Sequence, residues 1–117
     1  MSMIKIKDEI YHCPLDVTMS IIGKKWVTLI MWYLKDGVLR NGELLRLIPQ
    51  ITQKMLTQRL KELEHADIVN RKMYSQIPPK VEYSLTPRGL ELLKVFDCLA
   101  SWGEAYANSY GEIVENK

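Results

Sequence analysis

Apolar residues recur at intervals of three and four over five stretches of the chain, which is the spacing of helices that bury one face. The limits of these helices follow from their flanking residues, because threonine and asparagine cap N-termini, proline suits a first turn, and glycine and proline end helices. The predicted helices are residues 14–22, which Gly23 either stops or bends into the next helix; 24–35; 42–48, capped by Asn41; 53–66, capped by Thr52; and 87 to about 110, capped by Thr86.

The helix predicted at residues 24–35 is apolar on nearly every side, with Trp26, Leu29 and Trp32 among its residues. A helix without a polar face belongs in the middle of a domain. We therefore expect this helix to be buried all round, with Gly37 in the turn that follows it.

A short turn and a strand-rich segment define the fold that these helices build. Only residues 49–51 separate the third predicted helix from the fourth, as in a helix-turn-helix. Residues 68–76 and 81–85 then look like strands, and the prolines at 78 and 79, which cannot donate to a β-ladder, predict an open tip between them. Residues 38–40 are a candidate third strand. The prediction is a mainly α fold with a small β-wing (α+β), a winged helix-turn-helix, which commonly holds double-stranded DNA.

The length of 117 residues and an apolar content of 47% fit one domain. We divide the chain into an N-terminal arm at 1–12, ordered or frayed, a winged helix-turn-helix domain at 13–110, and a tail at 111–117. No signal peptide and no apolar run of membrane-spanning length are visible, so we expect a cytoplasmic protein without a membrane partner. The presence of only two cysteines fits a reducing compartment.

The helix predicted at residues 53–66 has an apolar stripe and a polar stripe on opposite sides. Leucines form the apolar stripe, and polar residues at i, i+3, i+4 and i+7 form a row that suits a major groove. The helix N-terminus favours a phosphate. An ordinary solvated face is the alternative. The predicted DNA contacts of this helix are Thr52, Gln53, Lys54, Thr57, Gln58 and Lys61.

Positive charge is concentrated around this helix, although the net charge of the whole chain is only +2. Between residues 51 and 80, six basic residues stand against three acidic ones. A local basic patch on a near-neutral domain is the electrostatic footprint of a DNA-binding surface, but it also fits a solvated surface. One of the six, Arg59, lies at the edge of the apolar stripe. Pairing with a carboxylate such as Glu43 is at least as favoured for it as a DNA contact, so we do not count it among the DNA contacts.

The wing carries the second set of predicted DNA contacts. Arg71, Lys72 and Lys80 are expected to neutralise phosphates of the flanking backbone, with Lys80 at the wing tip. Tyr74 is either a further contact or a packing aromatic. Solvated strand charges are the alternative for the three basic residues.

The last predicted helix carries more apolar surface than one core needs. One face shows Leu92 and Phe96, and a second face beside it shows a row of large apolar residues. Such a stripe favours a partner surface, most simply an isologous dimer through the terminal helices, which would place two recognition helices about 34 Å apart. The alternative is a monomer whose last helix wraps the core. The predicted dimer interface is Val17, Ile21, Val95, Leu99, Trp102 and Tyr106.

The two cysteines are the remaining candidates for chemistry. Cys13 directly precedes Pro14 at a helix start, where thiols gain reactivity, so a redox or electrophile sensor and a small buried hydrophobe remain equally open. Cys98 is expected in the core. Scattered Cys and His residues predict no metal site, and without a nucleophile–base pair, paired carboxylates or a phosphate loop we expect neither a cofactor nor enzyme activity. A protein-interaction module without DNA binding remains the alternative function.

Three segments resemble the HxlR-type winged helix-turn-helix transcription regulators. They are CPLDVTMSIIGKKWVTLIMWYL from Cys13, LRNGELLRLIPQITQKMLTQRLKELEHADIV from Leu39, and PPKVEYSLTPRGLEL from Pro78. The resemblance covers residues 13 to 102. It implies a homodimeric regulator on an operator with pseudo-two-fold symmetry. We interpret the chain as such a regulator, more often a repressor than an activator, with an unknown effector. The resemblance also implies a dimer built from the terminal helices, and some members sense electrophiles or oxidants through the cysteine at the position of Cys13.

Overall fold

The structure, a computed structural model, describes residues 2–112 and residue 114. Of the tail expected at 111–117, residue 113 and residues 115–117 therefore lie outside the described part. The elements are β1 (Ile4–Ile6), β2 (Glu9–Tyr11), α1 (Pro14–Ile22), α2 (Val27–Tyr33), β3 (Leu39–Arg40), α3 (Asn41–Leu47), α4 (Gln53–His65), β4 (Val69–Tyr74), β5 (Lys80–Leu85) and α5 (Pro87–Tyr110), and a 3-10 turn at Leu34–Asp36 follows α2.

The core lies between α2, α3, α4 and the base of the wing. Ile30 and Met31 of α2 have no exposed surface, and three leucines of α4 pack in the same cluster. Each buried side chain of this size stabilises the fold by roughly 1.5–3 kcal/mol, so the leucines determine which side of α4 turns outward. The cluster is completed by Ile22, Val27, Leu34, Leu44, Ile48, Ile51, Leu56, Leu60, Leu63, Ile68, Val69, Leu85 and Phe96.

The wing is an antiparallel sheet with the strand order β3-β5-β4. The third strand was expected at residues 38–40 and is confirmed as Leu39–Arg40. Arg71 lies opposite Tyr83, and Lys72 lies opposite Glu82. Because successive residues point to opposite faces, the register separates two sets of side chains. The inner face, toward α4 and the core, carries Val69, Arg71, Met73, Val81, Tyr83 and Leu85; the outer face carries Asn70, Lys72, Tyr74, Lys80, Glu82 and Ser84.

The prediction that a helix begins at residue 24 is wrong, because α2 begins at Val27. Trp26, its N-cap, has a φ of 81°, a left-handed conformation that cannot continue an α-helix. Residues 23–25 form the connection between α1 and α2. The glycine expected to stop α1 is the C-cap of that helix, and its N–H donates to the Met19 carbonyl at 2.8 Å.

The expectation that α2 is buried all round is also wrong. Leu29 and Trp32 are 42% and 40% exposed, while Ile30 on the other side of the helix is fully buried. One flank of α2 packs on the core and the other flank meets solvent beside α5. The solvent-facing flank of α2 therefore exposes apolar side chains that we expected to be buried.

The N-cap of α3 is Arg40, not Asn41. Arg40 still pairs with Glu82 across β3 and β5, and its extended backbone (φ −90°, ψ 161°) leads directly into the helix. The backbone N–H of Arg40 donates to the carboxylate of Glu43 at 2.9 Å, so this N–H has a hydrogen-bond partner at the start of the helix. Because strand pairing extends to the residue before the helix, the cap lies one residue earlier than the composition predicts.

The N-terminal arm is ordered, and its residues form the hairpin of β1 and β2. Lys7 in its turn has a φ of 56°. β2 lies against α1, so the alternative of a frayed end does not describe residues 2–12.

The start of α5 is fixed by contacts with the segment that enters β4. Thr86 caps the helix as predicted: its hydroxyl accepts from the Gly89 N–H at 2.9 Å and donates to the Asp67 carbonyl at 2.6 Å. A Cβ at Gly89 would lie 2.4 Å from the carbonyl oxygen of Ile68, so only glycine permits this close approach.

The second half of α5 extends beyond the body of the molecule. The helix passes Gly103 without a break and ends at Tyr110, as predicted. Phe96 is its last buried residue, and every residue from 97 to 110 is exposed. A helix segment with so much exposed surface gains little tertiary packing from its own chain.

Candidate nucleic-acid interface

α4 is fixed at its N-terminus by the predicted cap. The Thr52 hydroxyl accepts a hydrogen bond from the Met55 N–H at 3.1 Å. The turn that connects α3 with α4 contains Gln50, whose φ of 71° reverses the chain within a few residues. Ile51 in the same turn is buried and fastens it to the core. The turn and the cap together set where α4 starts and how it is aimed.

The polar residues of α4 form one outward row, which we call the reading ridge: Lys54, Thr57, Gln58 and Lys61. All four are exposed, and the leucines on the other side of the helix are at most 2% exposed. The Gln53 amide donates to the Thr57 hydroxyl at 2.9 Å, which links the first turn of the helix to the ridge. The ridge has the orientation expected from the sequence, and its contact with DNA remains a prediction.

A groove of about 310 Å³ separates the reading ridge from the wing. Arg71, on the inner face of the wing, lines this groove together with Thr57 and Lys61 of α4. Glu64 and Tyr83 complete its lining and were not predicted. Strand alternation could have indicated Tyr83, because it lies opposite Arg71, but the pairing register is needed to show it.

Lys72 and Lys80 lie on the outer face of the wing, away from this groove. Lys80 is the first residue of β5 and pairs with Tyr74, so it does not lie at the tip, which is formed by residues 75–79. Its ammonium group lies 3.7 Å from the Glu82 carboxylate and 4.6 Å from the Tyr74 ring centroid. The three predicted wing contacts therefore do not form one set, because Arg71 faces α4 and the two lysines face away from it.

Arg59 is held inside the protein, as expected, although its partner is not Glu43. Its guanidinium lies 2.6 Å from the carboxylate of Glu62, which is also 2.6 Å from the Lys24 ammonium. The Arg59 Nε–H donates to the Lys25 carbonyl at 3.0 Å. Glu43 is unsuitable as the partner because it binds the start of α3. This network connects α4 to the turn between α1 and α2.

Two opposing effects act on the pKa of the Glu62 carboxyl group. Desolvation raises its pKa, but the hydrogen bonds and charges of Lys24 and Arg59 outweigh desolvation, so the pKa lies below its usual value. Glu62 is therefore ionised at neutral pH and holds both cations.

Exposed apolar side chains lie along α5 and on the neighbouring part of α2. We call these side chains the apolar flank: Leu29, Trp32, Val95, Leu99, Trp102 and Tyr106. Between α2 and α5 it contains a groove of about 310 Å³. Leu99 belongs to this surface and not to the core. The other two predicted interface residues, Val17 and Ile21, are half-buried, and Ile21 already packs against the core.

The two cysteines lie in different surroundings. Cys13 is half-buried at the N-cap of α1. The neighbouring His12 N–H donates to the Asp16 carboxylate at 2.9 Å, which closes the start of that helix. Cys98 is exposed, so the expectation that it lies in the core is wrong. It follows Phe96 on α5, where the helix has already left the body of the protein.

Within residues 2–112 and 114, no helix is both long and apolar enough to cross a bilayer. The same residues contain no group of three or more His, Cys, Asp or Glu side chains placed to hold a metal ion.

A short turn before an exposed, leucine-anchored α4, followed by a three-stranded wing, defines a winged helix-turn-helix protein. The HxlR-like helix-turn-helix family model matches residues 21–110. The HTH-type transcriptional regulator YkvN of Bacillus subtilis is 50% identical over 97 residues, which cover 83% of this chain and 82% of YkvN.

Solved structures agree with this family. The crystal structure of the HTH-type regulator ytcD matches with a TM-score of 0.79 and 46% identity, over 82% of this chain and 98% of that one. The redox regulator HypR in its reduced form matches with a TM-score of 0.78 and 42% identity, over 84% and 100%. The chain belongs to the HxlR-like helix-turn-helix family and is a DNA-binding transcriptional regulator, which confirms the predicted fold class and family.

Proposed function

We propose that this protein acts in the cytoplasm as a homodimeric repressor on a pseudo-palindromic operator. In this role the reading ridge of each protomer enters a major groove, with Gln58 addressing a base edge. Thr52 and Gln53 meet a phosphate at the N-terminus of α4. The observation that carries the proposal is that the ridge is polar, basic and exposed along its whole length while leucines fix the opposite side of α4. The role requires no catalytic step.

The wing extends this contact along the DNA backbone. Arg71 shares a groove with Thr57 and Lys61, so a phosphate strand beside the major groove can meet all three side chains. Lys72 and Lys80 are displayed on the outer face and are available to a second stretch of backbone. The wing therefore contacts phosphates from both of its faces.

The apolar flank supports the homodimer. Trp102 and Tyr106 are 68% and 54% exposed, and their rings stack on one another with centroids 5.1 Å apart. A row of exposed aromatic side chains on a projecting helix is unfavourable in water and is stabilised by a partner surface. A second copy presents the same surface, and an isologous contact between two α5 helices buries both.

An electrophoretic mobility shift with the DNA upstream of the protein's own gene tests the proposal. We expect a discrete shifted complex that survives an excess of random DNA, and footprint protection over two half-sites about one helical turn apart. A protein-interaction module would give no complex at physiological salt, and that result would overturn the proposal.

We further propose that oxidation or alkylation of Cys13 changes DNA affinity. Cys13 starts α1, and a relative of 42% identity is a redox regulator, HypR. DNA affinity of the parent and of Cys13→Ser should be measured before and after diamide, with Cys98→Ser as the matched control. The parent and Cys98→Ser should respond and Cys13→Ser should not. An equal response in Cys13→Ser would exclude sensing through this thiol.

A further inference from the structure

The outer face of the wing contains an aromatic ring with two ammonium groups beside it. Tyr74 lies directly opposite Lys80 in the β4–β5 register, and Lys72 precedes it by two residues on the same face. The Lys72 ammonium lies 4.9 Å and the Lys80 ammonium 4.6 Å from the centroid of the Tyr74 ring. Both distances are within the range at which a ring attracts a cation through its electron-rich face.

Positive charge exceeds negative charge around this ring. Glu82 is the acidic residue of the outer face, and Lys72 and Arg40 flank it as its partners on the two neighbouring strands. Lys80 lies 3.7 Å from its carboxylate. The hydrogen bond from Tyr74, with the charges of Lys80 and Arg40, lowers the pKa of Glu82 despite desolvation, so its charge persists at neutral pH. One carboxylate thus stands among three cations, which leaves the face attractive to a polyanion.

The Tyr74 ring restrains the two lysine side chains in a way that the Glu82 carboxylate alone cannot. Two lysine ammonium groups repel each other, and without a restraint their side chains sample many rotamers. The loss of these rotamers on binding opposes association. A ring holds a cation through its charge and leaves the N–H groups able to donate to other acceptors. Lysines held in this way reach phosphate oxygens with a smaller loss of side-chain freedom.

We propose that Tyr74 is a positioning residue that gathers Lys72 and Lys80 into one phosphate-contacting pair on the outer face of the wing. The inference rests on the proposed DNA-binding role and assigns this pair to a different stretch of backbone from Arg71, which faces α4. It also gives Tyr74 a role in a wing whose other proposed DNA contacts are basic side chains.

A double-mutant cycle on the full-length protein tests the inference. Affinity for the upstream DNA is measured for the parent, Tyr74→Leu, Lys72→Ala/Lys80→Ala, and the triple variant. Tyr74→Leu should weaken binding about fivefold, the effect of two exposed cation–π contacts. Tyr74→Leu should have no further effect once both lysines are removed, and the double lysine variant should flatten the log–log salt slope by about 1.8.

Tyr74→Phe separates the ring from its hydroxyl group and is the matched control. This variant keeps the ring beside both lysines, so its affinity should stay within about twofold of the parent. An equal loss from Tyr74→Leu in both backgrounds, no loss at all, or a loss in Tyr74→Phe as large as in Tyr74→Leu would each overturn the positioning role. Failure of the parent itself to bind any DNA would instead overturn the proposed function, and the inference with it.

Discussion

Gln58 occupies the centre of the reading ridge, with Lys54 one turn before it and Lys61 about one turn after it. An amide at this place can both donate to and accept from an adenine edge, which a lysine cannot do. We expect Gln58→Ala to weaken operator binding by ~1–3 kcal/mol and to relax sequence preference. Titrations on operator and scrambled DNA measure this effect, and an equal loss on both would remove Gln58 from the base-reading residues.

Glu62 makes the stability of the protein depend on pH. Its pKa is lowered in the folded state, so its contribution is present above the ordinary carboxyl pKa and is lost as the pH falls through the folded value. Replacing Glu62 by Gln should lower stability by about 1 kcal/mol at pH 7, since contacts with Lys24 and Arg59 are weakened.

Thermal unfolding of the parent and of Glu62→Gln between pH 3 and 7 measures this difference. The two midpoints should converge as the pH falls toward 3. Glu64→Gln, two residues further along α4 and exposed, is the matched control and should follow the parent at every pH. A difference between the parent and Glu62→Gln that is constant with pH would show that the carboxylate charge does not stabilise the network.

Single residues were predictable where their role depends on local chemistry. Thr52 and Thr86 cap their helices as the sequence indicates, because their hydroxyls need only an N–H three residues ahead. Asn41 was assigned wrongly because the pairing of Arg40 with Glu82, a contact 42 residues away along the chain, decides where α3 begins. Long-range pairing of this kind leaves no local signal.

At the scale of the elements, the strand register of the wing determines which basic side chains lie on the same face. The sequence shows Arg71 and Lys72 as neighbours, while the sheet places them on opposite faces. The strands themselves were predictable from their β-prone composition and from the prolines between them. Their orientation toward α4 was not, because it depends on packing of Val69 and Leu85 in the core.

Arg71 is the basic residue of the wing that faces α4, so its removal should affect the groove beside the ridge. We expect Arg71→Ala to lower affinity for operator and random DNA alike and to flatten the log–log salt slope by about 0.9, the effect of one phosphate contact. Lys94→Ala, an exposed charge change on α5, is the matched control. An unchanged slope in Arg71→Ala would exclude this arginine from the phosphate contacts.

At the scale of the whole molecule, α5 is the element whose observed surroundings differ most from those that its sequence predicts. Its length and both ends were predicted, but the sequence placed Cys98 inside. Phe96 is the last buried residue of the helix, and only the position of α2 beside it shows that Leu29 and Trp32 share a groove with Leu99. The hairpin at the N-terminus likewise has no strong signal in its short strands.

The proposed homodimer should respond to a charge placed on α5. Tyr106→Glu places a carboxylate at the far end of the apolar flank, where its desolvation on association opposes dimer formation. We expect sedimentation equilibrium to show a shift from dimer to monomer and DNA affinity to fall at least tenfold, since two half-sites then bind independently. Asn108→Glu, on the other side of the same helix, should remain dimeric. A dimeric Tyr106→Glu would place the interface elsewhere.

A structure of the protein bound to its own upstream DNA would show directly where α4 lies. The predicted result is α4 in the major groove, with Lys54, Gln58 and Lys61 within hydrogen-bonding distance of base edges or phosphates in two symmetric half-sites. It would be contradicted by a complex in which the reading ridge faces solvent or is covered by the second protomer while other residues hold the DNA.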